Sequence, residues 1–278
     1  MKTKITDWLK ENFGSLRSIC VTLSVLTPPA LVIGRAAGDI FISIAAILFL
    51  FDAIKHRRWD WTRQAWIVVA LALWAYSVAR AAFIPHGAVD LFKAFVWLRY
   101  IIFAACVAQW VIPDERARIR LIYTSAATVA FLSIDGIIQY IFGRDIIGRP
   151  LFTHTRLTAI YERPILGVTI ANLFAPPVFW LLQRKKSLLS ALLAGVCFAA
   201  IFLSGDRMGL LFAAFIAAVW LFCLMRVHGK RWQILAAAAC MFAILLVAAP
   251  RLFHRQIQST ATTAEHIASS PYGLVWKS

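Results

Sequence analysis

Four arginines, Arg144, Arg149, Arg156 and Arg163, fall in one short interval, GRDIIGRPLFTHTRLTAIYERP, and a fifth, Arg207, follows an acid in FLSGDRMGLL. A guanidinium offers a planar fork of donors matched to phosphate and carboxylate. Arginines gathered in this way can grip an anionic group, and a phosphate-bearing substrate is the natural ligand. Loop solubility is the plainer reading, although Ser, Asn or Glu would serve it equally. Around residue 206 the chemistry is sharper. Ser204, Gly205 and Asp206 can supply the cap and tight entry of a helix, whose first turn carries unpaired N–H groups and partial positive charge. Arg207 is electrostatically misplaced there, and an anion bound at that helix end would reconcile the two.

Two further charges lie inside apolar runs, Arg99 in FVWLRYII and Asp135 in FLSIDGIIQY. A charge at the bilayer centre costs about 2.5–3.5 kcal/mol on insertion scales, so such residues are candidates for function. Arg99 is roughly 12 Å and Asp135 roughly 10 Å below the outer ends of two consecutive antiparallel spans, at 1.5 Å per residue. The matched depths lead to the expectation that they pair, with Gln139 one turn above Asp135. The competing reading is a structural ion pair, which is weak evidence for stability in itself.

These residues must be held by membrane helices. The 278-residue chain is 61% hydrophobic and 15% charged with a mean hydropathy of +0.75, far more apolar than an average soluble domain. A helical span needs about 20 mostly apolar residues. The runs are continuous rather than alternating, which sets a β-barrel aside. Nine spans are expected, at residues 17–34, 38–54, 65–83, 91–112, 121–142, 164–182, 187–204, 208–224 and 233–249. The first has the basic start of a secretory signal and a small-residue GRAAG. It is read as an uncleaved span, because the next apolar run begins almost at once.

An N-terminus in the cytoplasm puts more than half of the 29 basic residues on that side, as the positive-inside rule requires. Trp59, Trp61, Trp66, Trp110, Trp180 and Trp232 cluster near the inner ends. The arginine-rich loop, on the outer side, breaks the rule. The organisation expected is an all-α bundle over residues 1–250, with the arginine-rich loop at 143–163 and the start of an outer region at 251–278. The net charge of +16 is assigned to topology, with no nucleic acid partner. The five cysteines, Cys20, Cys106, Cys197, Cys223 and Cys240, lie in apolar runs without metal-type spacing and read as packing residues. No histidine pair suggests a metal.

The ordered set of segments resembles the O-antigen ligase and polymerase family of bacterial membrane proteins. FLSGDRMGLL is similar to the family's Ser-Gly-Ser-Arg-Gly pattern, with Asp206 in place of a serine and Met208 before Gly209. Arg163-Pro164-Ile165-Leu166-Gly167 resembles a Pro-Asn-x-x-Gly-like span start following an arginine-bearing outer loop, and HIASSPYGLVWKS resembles the beginning of a periplasmic region. The resemblance implies a multi-pass protein of the bacterial inner membrane that transfers or polymerises an undecaprenyl-diphosphate-linked glycan. The acceptor would be lipid A core or another glycan of O-antigen or exopolysaccharide type.

It implies no metal or other cofactor, and membrane lipids as surroundings. Arg207 takes the motif position as catalytic and diphosphate-binding residue, and Arg149, Arg156 and Arg163 are assigned to the diphosphate from loop context. The chain covers about the N-terminal two-thirds of a typical member, and no motif histidine is matched by His254 or His266. A transporter or flippase for an anionic lipid-linked substrate and an inactive truncated remnant are the alternatives.

Overall fold

The computed structural model describes residues 15–83, 87–152, 157–161 and 163–227. The expected span at 233–249, Arg156, Trp232, Cys240, His254 and His266 lie outside them. Nine α-helices run through these residues, with no strand among them, and seven stretches are long and apolar enough to cross a membrane. The helices are α1 (Leu16–Ile33), α2 (Arg35–Lys55), α3 (Ala65–Ala82), α4 (Gly87–Cys106), α5 (Glu115–Phe142), α6 (Leu166–Leu173), α7 (Ala175–Gln183), α8 (Ser187–Ser204) and α9 (Arg207–Val227). They divide between two compact units, Met1–Thr128 and Val129–Ser278.

In the first unit α1 packs along α2, α3 along α4, and α2 against α4. The Ser15 side chain accepts from Ser18 N–H at 3.2 Å and starts α1. Pro28 and Pro29 remove two donors from this helix without ending it. The core gathers Cys20, Phe49, Trp61, Ile67, Ala105 and Cys106. Phe49 meets Trp61 and Trp110 edge-on at centroid separations of 5.6 and 4.8 Å. Large rings thereby tie the α2–α3 connection to the end of α4, which widens into a π turn over Val107–Val111.

In the second unit the expected span at 164–182 is two helices, because Pro176 and Pro177 lack the N–H groups that would continue the ladder across Phe174. α6 lies against α9 and α8, and α7 against α8. The Trp220 indole N–H donates to Ser190 Oγ at 2.9 Å, and the Ser190 hydroxyl donates to Val178 O at 2.8 Å, so one buried serine joins α7, α8 and α9. α8 ends on Gly205, whose φ of 70° is left-handed and suits glycine.

Candidate functional site

The two segments singled out by sequence meet where α6 and α9 begin. Asp206 caps α9, its Oδ1 accepting from Met208 N–H at 3.1 Å and Gly209 N–H at 3.2 Å. Its other oxygen, Oδ2, accepts from Val168 N–H of α6 at 2.8 Å. One carboxylate therefore satisfies the first turns of two helices and offsets the partial positive charge of both. The Met208 and Gly209 amides, expected to face an anion, are bonded to this carboxylate.

The close approach is made possible by two glycines. A Cβ on Gly209 would stand 2.7 Å from Gly167 C and 2.9 Å from Val168 N, and a Cβ on Gly167 would overlap the Ser204 hydroxyl and come 2.6 Å from Asp206 Cβ. Arg207 is the first residue of α9, and exposed Arg163 lies just ahead of α6. The crossing thus carries one arginine on each of its entering strands of chain.

The described part of the arginine-rich loop is a small hairpin closed by an isolated bridge between Arg144 and Pro150. Asp135 and Gln139, one turn apart on α5, hold it. Asp135 Oδ1 accepts from Ile146 N–H at 2.8 Å. Gln139 Oε1 accepts from Thr158 and Ala159 N–H, each at 2.8 Å, and its Nε2 donates to Thr158 Oγ1 at 3.1 Å and Pro150 O at 3.3 Å. Arg149, expected on the diphosphate, donates through Nη1 to Ile160 O at 2.6 Å and so helps to close the loop.

Tyr161, 7% exposed, has no hydrogen-bond partner for its hydroxyl among the described residues. Burial pushes that hydroxyl up to about 12, with Thr169 nearby pulling weakly the other way. It is a neutral phenol near pH 7 and unsuited to act as a base.

Arg99 and Asp135, expected to pair, belong to different units, and Arg99 has a partner within its own. Arg99 Nη2 instead lies 3.3 Å from Asp39 Oδ1. The Tyr100 hydroxyl donates to the same oxygen at 2.8 Å, Arg99 Nη1 donates to Ser43 Oγ at 3.2 Å, and the Ser43 hydroxyl donates to Asp39 O at 2.7 Å. The physical reason is reach. Asp39 sits one turn inside α2, which packs on α4, and the long arginine stem extends to it.

A double-mutant cycle on unfolding of the purified protein checks this. Asp39→Asn and Arg99→Gln are expected to couple by more than the roughly 0.5 kcal/mol within which independent sites add. Additivity would show the Asp39 contact to be energetically empty.

Among the described residues no group of three or more His, Cys, Asp or Glu side chains could hold a metal ion. Comparison with protein-family models, curated proteins and solved structures gives no match for this chain.

Proposed function

We propose that the protein is a bacterial inner-membrane glycosyltransferase of O-antigen ligase or polymerase type, moving a glycan from a polyprenyl diphosphate to an acceptor hydroxyl at the outer face. The observation that carries this reading is the junction of α6 and α9. Segments 163–167 and 204–209, far apart in sequence, are joined there by Asp206 and by the Gly167–Gly209 contact. In the transfer, the acceptor oxygen bonds to the sugar's anomeric carbon as the bond to the diphosphate oxygen breaks. The lipid diphosphate leaves with the electron pair, and the acceptor's hydroxyl proton passes to the departing phosphate oxygen or to water.

Because Asp206 occupies the helix amides, the developing charge falls to guanidinium groups, with Arg207 as the principal one and Arg163 beside it in role. Positive groups fixed in advance where charge develops can substitute for a metal. The membrane setting suits such a donor, since seven apolar helices offer its lipid a bilayer in which to reside.

The test is binding of undecaprenyl diphosphate to the protein in liposomes, followed by glycan transfer from the loaded donor. Arg207→Ala is expected to weaken binding about tenfold or more, which is the loss of about one charge-assisted hydrogen bond. Arg207→Lys should fall between, because an ammonium keeps the charge and loses the bidentate fork. Equal affinity of Arg207→Ala and the parent protein would remove the proposal.

A further inference from the structure

We infer that the hairpin closed by Arg144 and Pro150 is a re-entrant element, with Ile146 and Ile147 at its tip seated among the acyl chains of the leaflet at the carboxyl end of α5. Its position follows from its anchor. The first turns of α5 carry Arg116, Arg118 and Arg120, which stay at headgroup level, so the apolar part of the helix is residues 121–142. That stretch is about 33 Å long at 1.5 Å per residue, close to the hydrocarbon thickness of about 30 Å. Asp135 lies about 10 Å below its end by the same rise. The Ile146 amide is hydrogen-bonded to Asp135 at 2.8 Å. After leaving α5 at Phe142, the chain therefore turns back to a depth the helix has already crossed.

The hairpin is constructed for a place without water. In a solvated turn the amides can bond to water, whereas backbone at membrane depth must be satisfied by protein. All five N–H groups from Asp145 to Arg149 are satisfied within the chain. Asp145 N–H donates to Arg149 O at 3.0 Å and Gly148 N–H to Asp145 O at 2.9 Å. Ile147 and Arg149 N–H donate to Asp145 Oδ1 at 3.0 and 2.6 Å, and Ile146 N–H goes to Asp135. The left-handed φ of 92° at Gly148 makes so tight a return possible.

The outward side has the opposite character. Ile146 is 55% and Ile147 58% exposed, and Ile141 and Phe142 at the end of the helix are 65% and 74% exposed. Two isoleucines on a turn whose N–H groups are all bonded within the chain offer an apolar tip. Exposed Arg144 stands at its base, where lipid phosphates lie, while the Arg149 guanidinium is turned inward to Ile160 O. Apolar tip and cationic base match the two layers of a leaflet, acyl chain and phosphate. The same arrangement explains why arginines occur in a loop that charge-based topology would keep free of them.

The experiment places a nitroxide side chain at Ile147→Cys, and separately at Ile146→Cys, in a full chain whose five native cysteines are replaced. The label is attached in detergent and the protein is then reconstituted into phosphatidylglycerol-containing liposomes. Collision with lipid-dissolved oxygen and with a water-soluble nickel chelate is measured, with Ile141→Cys as the lipid-facing reference and exposed Arg163→Cys as the aqueous one. The expected result is high oxygen and low nickel access at 146 and 147, matching Ile141, with nickel access about tenfold or more below that at 163, since polar solutes are excluded from hydrocarbon. High nickel access at both tip positions would overturn the inference by placing the hairpin in water. Low access to both quenchers would overturn it by showing protein, not lipid, over the tip.

Discussion

Replacing Gln139 by Leu is expected to lower the unfolding temperature of the detergent-solubilised protein by roughly 10 °C. The substitution keeps the volume of a side chain that is 0% exposed, and it deletes the acceptor for two buried amides. Thr158 is 3% and Ala159 0% exposed, so water cannot replace Gln139 Oε1. An unpaired buried donor costs about 1–3 kcal/mol, and two give about 2–6 kcal/mol. For a chain of this size each kcal/mol moves the midpoint by about 2–4 °C. Ala159 adds to the cost, because its φ of 49° is left-handed and the glutamine helps to hold it there.

Cys20, Cys106 and Cys197 are buried thiols, so their reaction with a maleimide dye on heating reports the transition. Gln139→Glu retains an acceptor and is expected to fall between. A midpoint for Gln139→Leu within about 2 °C of the parent, a change worth less than about 1 kcal/mol, would mean that the loop does not depend on this side chain.

The second large effect is expected from Gly209→Ala. Inside a helix this exchange ordinarily stabilises by about 0.5–1 kcal/mol, so a loss must exceed that gain to be seen. The new methyl would meet Gly167 C at 2.7 Å and Gly167 O at 2.9 Å, backbone that cannot rotate away. α6 and α9 must then separate, which stretches the Asp206–Val168 bond that lies at the same crossing. Overpacking of this kind costs about 1–3 kcal/mol, and the midpoint should drop by several degrees.

Gly167→Ala forces the same separation. The two exchanges together should therefore cost less than the sum of each alone, as expected for sites in contact. A fully additive pair, or a Gly209→Ala protein as stable as the parent, would contradict the contact.

Much of this architecture is legible in the sequence because membrane spans are specified by length and composition. The span expected at 187–204 coincides at both ends with α8, bounded by the Arg184–Lys186 charges and by Gly205. Residues 164–182 meet the length criterion as a whole, which hides the break that Pro176 and Pro177 impose. The partner of Arg99 was not legible, for a geometric reason. Depth along a helix follows from counting residues, but rotation about its axis does not, and two charges at one depth can face different neighbours. Asp39, close to the start of α2, looks like a flank rather than the half-buried counter-charge of Arg99.

Asp206 was legible as the cap of its own helix from local pattern. Its bond to α6 was not, because nothing local records which distant helix end shares a carboxylate. In the sequence Gln139 stands out only as a neighbour of Asp135. A polar side chain in an apolar run signals a partner, and that partner proves to be backbone.

The shared carboxylate also sets an order on biosynthesis. Gln139 can close on Thr158 and Ala159 soon after they emerge, 19 and 20 residues later. The Val168 amide must wait for Asp206, 38 residues downstream. At about 5–20 residues per second that interval is roughly 2–8 s, during which the leading turn of α6 has no Asp206 to receive its N–H. Whatever shelters that nascent turn, lipid headgroup, water or insertion machinery, is displaced when Asp206 arrives, so the leading turn of α6 is completed from a helix made after it.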